Sequence, residues 1–519
     1  MRRRAWSLAL IRFTEKHLAK KVPPLSLAGR RSLDPRNRPL QDGDQVVIVG
    51  GGLAGSAFAR QFLWLSAAED LKVKVKMINA PNCNFCGGLM TRLAANYLKK
   101  FYRWETPAEL ILGHMDEVVY VNAAGAIPVP LGMKLVSLLR TSRFGEIGFD
   151  DSLKKRITEG LDEETAARFE LVEPAQVIKM VPPQPEKRGS VVYTLWPWGD
   201  DSRESQVQVQ ADLLVVAMGF RAVNTPMMKE FALATGYQPP EIMEASVTEV
   251  DATPALVNHL QGRLLILNDI VPGLVAAIIP KRKNWLTVTS LHKALSRQDL
   301  ESIFAHPLVK QYVDLPKVVE MLRCHRICRA KVFTRAARNY FGDGWLILGD
   351  LNGHGRVLKD GYLAALHSAH LAAAGAVYKG TGREVWVHEL HRHLYPLEGD
   401  NRIGMFLFRL NLWLERQAWF APFLKRAAEQ EKKSTRYGNF IFSAIRGLTT
   451  GELSYRMIFL FFVLGLTREV FRNPLQLWRD LRAARSQGRD HGSSPEPARC
   501  MQETEEEQGG VQEGHRERD

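Results

Sequence analysis

QVVIVGGGLAGSAFARQFLWL, residues 45–65, is the stretch on which the fold turns. Val46 to Val49 form a short apolar run that reads as a buried strand, and the residues from Leu53 onward read as a helix. Between them Gly50, Gly52 and Gly55 make GxGxxG. The first glycine permits a tight turn, the second lets backbone approach a pyrophosphate, and the third lets helix and strand pack closely. Phosphate charge then meets the unpaired amides and positive end of the helix. Strand, turn and helix in this order predict a dinucleotide-binding α/β fold rather than a bare glycine-rich turn.

LKVKVKMINA, residues 71–80, supplies the next strand, alternating from Leu71 to Ile78 and ending in Asn79 where such folds usually carry Asp or Glu. Asn79 can still donate to and accept from a ribose, without the charge-assisted contact. No second GxGxxG follows a strand and no GxxxxGK[ST] occurs, which argues against a disulfide reductase with two dinucleotide sites and against a P-loop nucleotidase.

A chain of 519 residues, 45% of them hydrophobic, can bury more than one core. Its 70 Lys and Arg against 56 Asp and Glu give a formal charge of +14, which suits phosphate, anionic lipid or nucleic acid without choosing among them. Five cysteines, an odd number, point to a reducing compartment rather than a disulfide framework. Cys83 and Cys86 form CxxC, and Cys324 and Cys328, with His325 between them, are spaced CxxxC. Four thiolates for zinc or an iron–sulfur centre are one reading, but the spacings match zinc pairs loosely, and inert thiols are the simpler description. VWVHELHRHLYP places Arg392 where HExxH needs its second histidine, so His388 and Glu389 read as a polar helix face, and no metal is expected.

A second glycine-rich loop, GDLNGHGRVLKDG at 349–361, follows the apolar run WLIL and precedes the helical GYLAALHSAHLAAAGAVY. With GGGLAGS at 50–56, NCNFCGGLM at 82–90, ADLLVVAMG at 211–219 and PGLVAAIIPKRKNWLTVTS at 272–290, it makes the chain resemble the FAD-dependent geranylgeranyl reductase-like family, within the larger group that contains the aromatic hydroxylases. The resemblance covers residues 44–376. It implies that the late loop closes over FAD: Asp350, with Gly349, Gly353 and Gly355, meets the ribityl chain or pyrophosphate, and the next helix points its N-terminus at the flavin ring, stabilising charge on the reduced form. It also implies an arginine reaching the cofactor before a Phe-Asp-x-x-Leu helix. Phe149, Asp150 and Leu153 match, while Arg140 and Arg143 compete for the arginine, with Arg143 preferred. Cys86, before Gly87 and Gly88, is the loop cysteine that the family places near the flavin and is a candidate proton donor. His354, inside the late loop, is the candidate proton-handling histidine.

Gly273 to Pro280 match a family segment lining the substrate cavity, with aliphatic residues where relatives carry aromatics. That implies an apolar cavity for an aliphatic, isoprenoid-like substrate, although a buried strand has the same composition. The expected reaction is hydride transfer through flavin N5 to or from a carbon–carbon double bond. Oxygen insertion by a flavin monooxygenase is the runner-up, and a non-catalytic FAD-containing scaffold a third reading. The electron donor is expected to be NAD(P)H or a protein carrier.

Residues 1–31 carry nine Lys or Arg against one acid, Glu15, and read as a basic amphipathic arm or, in a eukaryote, an organelle transit segment. After residue 385, helices studded with aromatics and bases suit either a membrane interface or a cap on the core. The apolar run Met457 to Leu466 is too short to span a bilayer. The expected architecture is therefore an α/β FAD-binding Rossmann-like domain interleaved with a mostly β substrate region over 41–385. A basic arm (1–40) precedes it, and a C-terminal amphipathic helical domain (386–485) and a disordered tail (486–519) follow. A cytoplasmic, peripherally membrane-associated protein without a nucleic-acid partner is expected.

Overall fold

The computed structural model describes residues 31, 34–80, 86–140, 142, 146–195, 206–323, 325–358, 361–433 and 439–490. The basic arm and the C-terminal tail lie almost wholly outside these residues. Gln45–Val49 (β1) sits inside a six-stranded sheet whose spatial order is 341–342, 345–347, 213–216, β1, Lys74–Ile78 (β2) and 169–172. All neighbours run parallel except the first pair. Val46 to Val49 are at most 1% exposed, as a strand covered on both faces requires. β2 starts three residues later than the alternation at Leu71 predicts, although Leu71 and Val73 are still buried.

Val49 lies opposite both Ile78 and Val216, and Val216 opposite Ile347. Four strands therefore end level, and the segments after them (50–52, 79, 217–219 and 348–350) share one edge, the carboxyl edge where open α/β sheets bind ligands. Leu53–Ala68 (α1) leaves that edge after the first glycine turn. Gly361–Tyr378 (α2), the helix expected after the late loop, packs against α1 through small residues such as Ala365, Ala369 and Ala372.

A second sheet of eight strands runs in the order 328–335, 241–251, 285–291, 275–281, 263–268, 111–122, 125–138 and 89–90. A three-stranded sheet (175–181, 189–195, 206–211) completes the β structure. The mostly β region is thus threaded between segments of the first sheet, as expected.

The C-terminal helices are Arg392–Glu415 (α3), Phe420–Lys433 (α4), Phe440–Thr450 (α5), Tyr455–Arg472 (α6) and Pro474–Asp490 (α7). The boundary expected between residues 385 and 386 falls inside a continuous helical run that enters α3 through a π-helical turn, Trp386–His391. The helices also cap the core: Leu414, Phe420, Leu424 and Ile441 share one apolar cluster with Val129, Leu264 and Ile279 of the second sheet. Glu431 binds three of them together, accepting from the Ile441 and Phe442 amides at the start of α5 (3.0 and 3.1 Å) and pairing with Arg468 of α6 (2.7 Å). Among the described residues no helix is long and apolar enough to cross a membrane. The Met457–Leu466 run lies within α6, and several of its side chains, including Phe459, Leu460 and Val463, are exposed.

Candidate active site

The first glycine turn divides its three glycines by what surrounds them. Gly50 has φ +106°, and a Cβ there would lie 2.5 Å from the Ala217 carbonyl oxygen; a Cβ on Gly55 would lie 2.0 Å from the Gly50 oxygen. These two are required by the fold. Gly52 has no atom within 4 Å of where a Cβ would stand, and it opens α1 without any side-chain cap. Open space before uncapped helix amides is the cradle that a pyrophosphate needs, so the residues present fit the expected group.

Asn79 is placed at this turn but is already engaged. Its Oδ1 accepts the Gly51 amide (2.7 Å), and its Nδ2 donates to Glu173 Oε1 (2.7 Å). It braces the glycine turn, and the carboxylate at this edge is Glu173, directly after the strand 169–172, which also accepts from buried Lys154 (2.7 Å). A ribose would have to use the one amide N–H and the one Oδ1 lone pair that these two bonds leave on Asn79.

The late loop reaches the same edge. Gly349 has φ +69°, and a Cβ there would lie 3.0 Å from Ala54 Cβ in α1, so the two glycine loops touch. Asp350 and Gly361 line a cavity of about 410 Å³ together with Cys86, Arg140 and Tyr362. Arg140 Nε donates to Asp150 Oδ1 (2.9 Å), and its guanidinium carbon stands 4.7 Å from the Tyr362 ring centroid. Burial opposes the Arg140 charge, but Asp150, Tyr362 and Cys86 outweigh it and hold its pKa well above the usual range. Burial raises Asp350, with Arg140 acting against that rise and Asp150 adding to it. One guanidinium therefore pairs with Asp150 and acts electrostatically on Asp350, which lines the cavity. Arg143, the arginine preferred from sequence, lies outside the described residues; Arg140 is the one brought to the cavity.

Cys86 lines the cavity as expected, and its Sγ accepts the Gly88 amide (3.4 Å). Lys281, 2% exposed, fixes this turn by donating to the carbonyls of Gly87 (2.9 Å) and Leu138 (3.2 Å), and burial pushes its pKa down to about 8. Cys83 and Cys324 lie outside the described residues. Among those described, no group of three or more His, Cys, Asp or Glu is arranged to hold a metal ion.

The late loop also carries His354, the candidate proton-handling residue. Its Nδ1 is 2.9 Å from the Asn352 carbonyl, its Nε2 is 2.9 Å from Glu398 Oε1 of α3, and it is 1% exposed and absent from the cavity wall. With both ring nitrogens engaged it ties the late loop to α3. Gly353 and Gly355 also serve packing: Cβ atoms on them would lie 2.9 Å from Pro240 and from Phe333. The residues that sequence reading missed are Arg140, Tyr362 and Gly361, of which Arg140 was the less favoured of two candidates.

Away from this cluster the cavity runs between the second sheet and the C-terminal helices, among Leu264, Ile266, Ile279, Leu424, Ile441 and Phe462. Val275, Ala277 and Ile279 of the segment expected to line a substrate cavity are on its wall, within the strand Val275–Lys281.

No protein-family model and no curated protein matches the chain. Solved structures do match. A flavoprotein/dehydrogenase from Cytophaga hutchinsonii aligns with TM-score 0.51 at 14% identity, covering 78% of this chain and 92% of that one. The flavin-dependent brominase Bmp2 aligns with TM-score 0.50 at 15% identity, covering 84% and 98%. A geranylgeranyl bacteriochlorophyll reductase-like protein from Thermoplasma acidophilum aligns at 0.49 and 13% identity, covering 86% and 100%.

Proposed function

The chain has the fold of these flavoproteins, and from that premise we propose that it is an FAD-dependent oxidoreductase whose substrate is lipophilic. One observation carries the reading: a single cavity joins Cys86, Arg140, Asp350 and Tyr362 at the carboxyl edge of the first sheet to aliphatic walls under the C-terminal helices. When bound, FAD supplies a redox centre able to take or give a hydride, and a carbon–carbon double bond is the acceptor or donor that aliphatic walls suit. The glycine turn and the α1 N-terminus hold the pyrophosphate. Asp350 and Arg140 would hold the polar chain, and the N-terminus of α2 would stabilise negative charge on the reduced ring. Cys86 delivers a proton to the substrate carbon. The electron donor is NAD(P)H or a protein carrier.

Peripheral association with a membrane belongs to the same reading. Phe406 and Trp413 of α3 and Phe459, Leu460, Phe471 and Trp478 of α6 and α7 are exposed, and the Phe406 and Phe459 rings lie 6.0 Å apart. Arg402, Arg409 and Arg456 are exposed beside them, the pattern of an interfacial helix face.

The test is anaerobic reduction of the purified protein by NADH, NADPH or a reduced ferredoxin, followed by addition of polyprenyl substrates and product analysis. A product gaining two hydrogens supports the reading. Turnover that requires oxygen and leaves an oxygen atom in the product replaces it with monooxygenation, and flavin that no donor reduces leaves a scaffold.

A further inference from the structure

Four buried or half-buried polar side chains meet under the C-terminal helices, and three of them, Tyr120, Asn268 and Asn411, are on the cavity wall. They come from the strands 111–122 and 263–268 and from α3, elements that carry none of the glycine loops. Their hydrogen bonds run in one direction. Asn411 Nδ2 donates to Asn268 Oδ1 (3.0 Å), Asn268 Nδ2 donates to Tyr120 Oη (2.6 Å), and Tyr120 O–H donates to Glu415 Oε1 (2.8 Å). Glu415 is 7% exposed and also takes a long contact from Asn122 (3.5 Å). Tyr120 Oη stands 3.3 Å from Asn411 Oδ1, but its single proton is committed to the shorter bond to Glu415.

The relay therefore starts at Asn411, which has one amide N–H and an Oδ1 lone pair that the quartet does not use. Around it the wall is aliphatic: Tyr120 belongs to the same apolar cluster as Leu264, Ile279, Leu424 and Ile441. Asn411 is half-buried, so this open capacity meets either water or the polar group of a ligand that enters the cavity. A hydroxyl is the group that both donates to Oδ1 and accepts from the N–H, and each bond in a polarised chain strengthens its neighbours.

We propose that Asn411, Asn268 and Tyr120, anchored on Glu415, form a recognition site for a hydroxyl group on a long apolar ligand, so that the substrate class is a lipophilic alcohol. This rests on the reading of the cavity as the substrate site.

The test uses the full-length protein with its flavin content measured, titrated with a long-chain isoprenoid alcohol and with the methyl ether of the same alcohol. Wild type binds the alcohol about tenfold more tightly than the ether, the factor expected of one good hydrogen-bonded group. Asn411→Leu weakens the alcohol about tenfold and leaves the ether within about twofold, erasing the preference. Asn411→Ala, which adds no bulk, shows the same loss if the leucine variant folds poorly. Equal affinity for alcohol and ether in wild type, no binding of either, or a preference that survives both substitutions overturns the site. Discrimination by a protein that holds no flavin keeps the hydroxyl site and sinks the redox reading; flavin-loaded protein without discrimination does the reverse.

Discussion

Replacing Gly52 by valine separates the cofactor's requirements from the fold's. Gly52 has φ −73° and ψ −170°, extended backbone that any residue adopts, and its absent Cβ has no neighbour within 4 Å. As helix N-cap it loses up to about 1 kcal/mol on Gly→Val, and the stiffer unfolded chain returns about 0.4–1 kcal/mol. The apoprotein should thus stay within about 1 kcal/mol of wild type. Gly55→Ala is the contrast: its Cβ would stand 2.0 Å from the Gly50 oxygen, so strand and helix must separate, at about 3 kcal/mol or more. With FAD present the order changes. The valine methyls fill the pyrophosphate space, and a loss of at least about a hundredfold in affinity corresponds to about 2.7 kcal/mol. FAD at about a hundred times the wild-type Kd stabilises wild type by about 2.7 kcal/mol and should stabilise Gly52→Val by no more than about 0.4 kcal/mol. Urea unfolding with and without FAD, beside a direct FAD titration, reads both quantities. Wild-type FAD affinity in Gly52→Val, or an apoprotein as unstable as Gly55→Ala, would refute the placement of the pyrophosphate.

Arg140→Ala removes the guanidinium paired with buried Asp150, so stability should fall by about 3 kcal/mol in chemical denaturation; a loss under about 1 kcal/mol would mean that the pair does not organise this part of the fold. Burial, with smaller contributions from His370 and His393, lowers the pKa of His367 to about 3, and burial lowers that of His370 to about 4. Both fold neutral while the unfolded chain takes up protons from about pH 6.5 downward, so their contribution is complete above about pH 6.5 and is lost as pH falls toward 4. His370→Phe should spare about 2–3 kcal/mol of that decline by about pH 4.5, and an unchanged pH profile in urea unfolding would contradict the buried neutral state. Cys86→Ser should slow substrate turnover while FAD affinity stays within about twofold; equal turnover returns Cys86 to an inert role.

What sequence made legible was local. The β1–turn–α1 unit is written in consecutive residues, and α2 spans the residues its small-residue run indicates. Asp150 could be singled out by its neighbours Phe149 and Leu153, but its partner could not. Arg140 is selected by backbone pairing of the chain around it, where the Phe149 amide donates to the Leu139 carbonyl (2.8 Å) and the Asp150 amide to the Arg140 carbonyl (3.4 Å). His354 could be singled out by its loop position, but its partner Glu398, 44 residues later, could not. The Tyr120, Asn268 and Asn411 relay joins residues up to 291 positions apart, and no periodicity marks such a set. Likewise the 385/386 boundary followed a change of composition that the helical backbone ignores.

The most direct measurement is the visible absorption spectrum of the purified full-length protein in mild detergent, with the cofactor released by denaturation and quantified. FAD binding at the two glycine loops predicts an oxidised-flavin spectrum and one FAD per chain, either as purified or after FAD is added. A colourless protein that takes up no FAD on titration would contradict it.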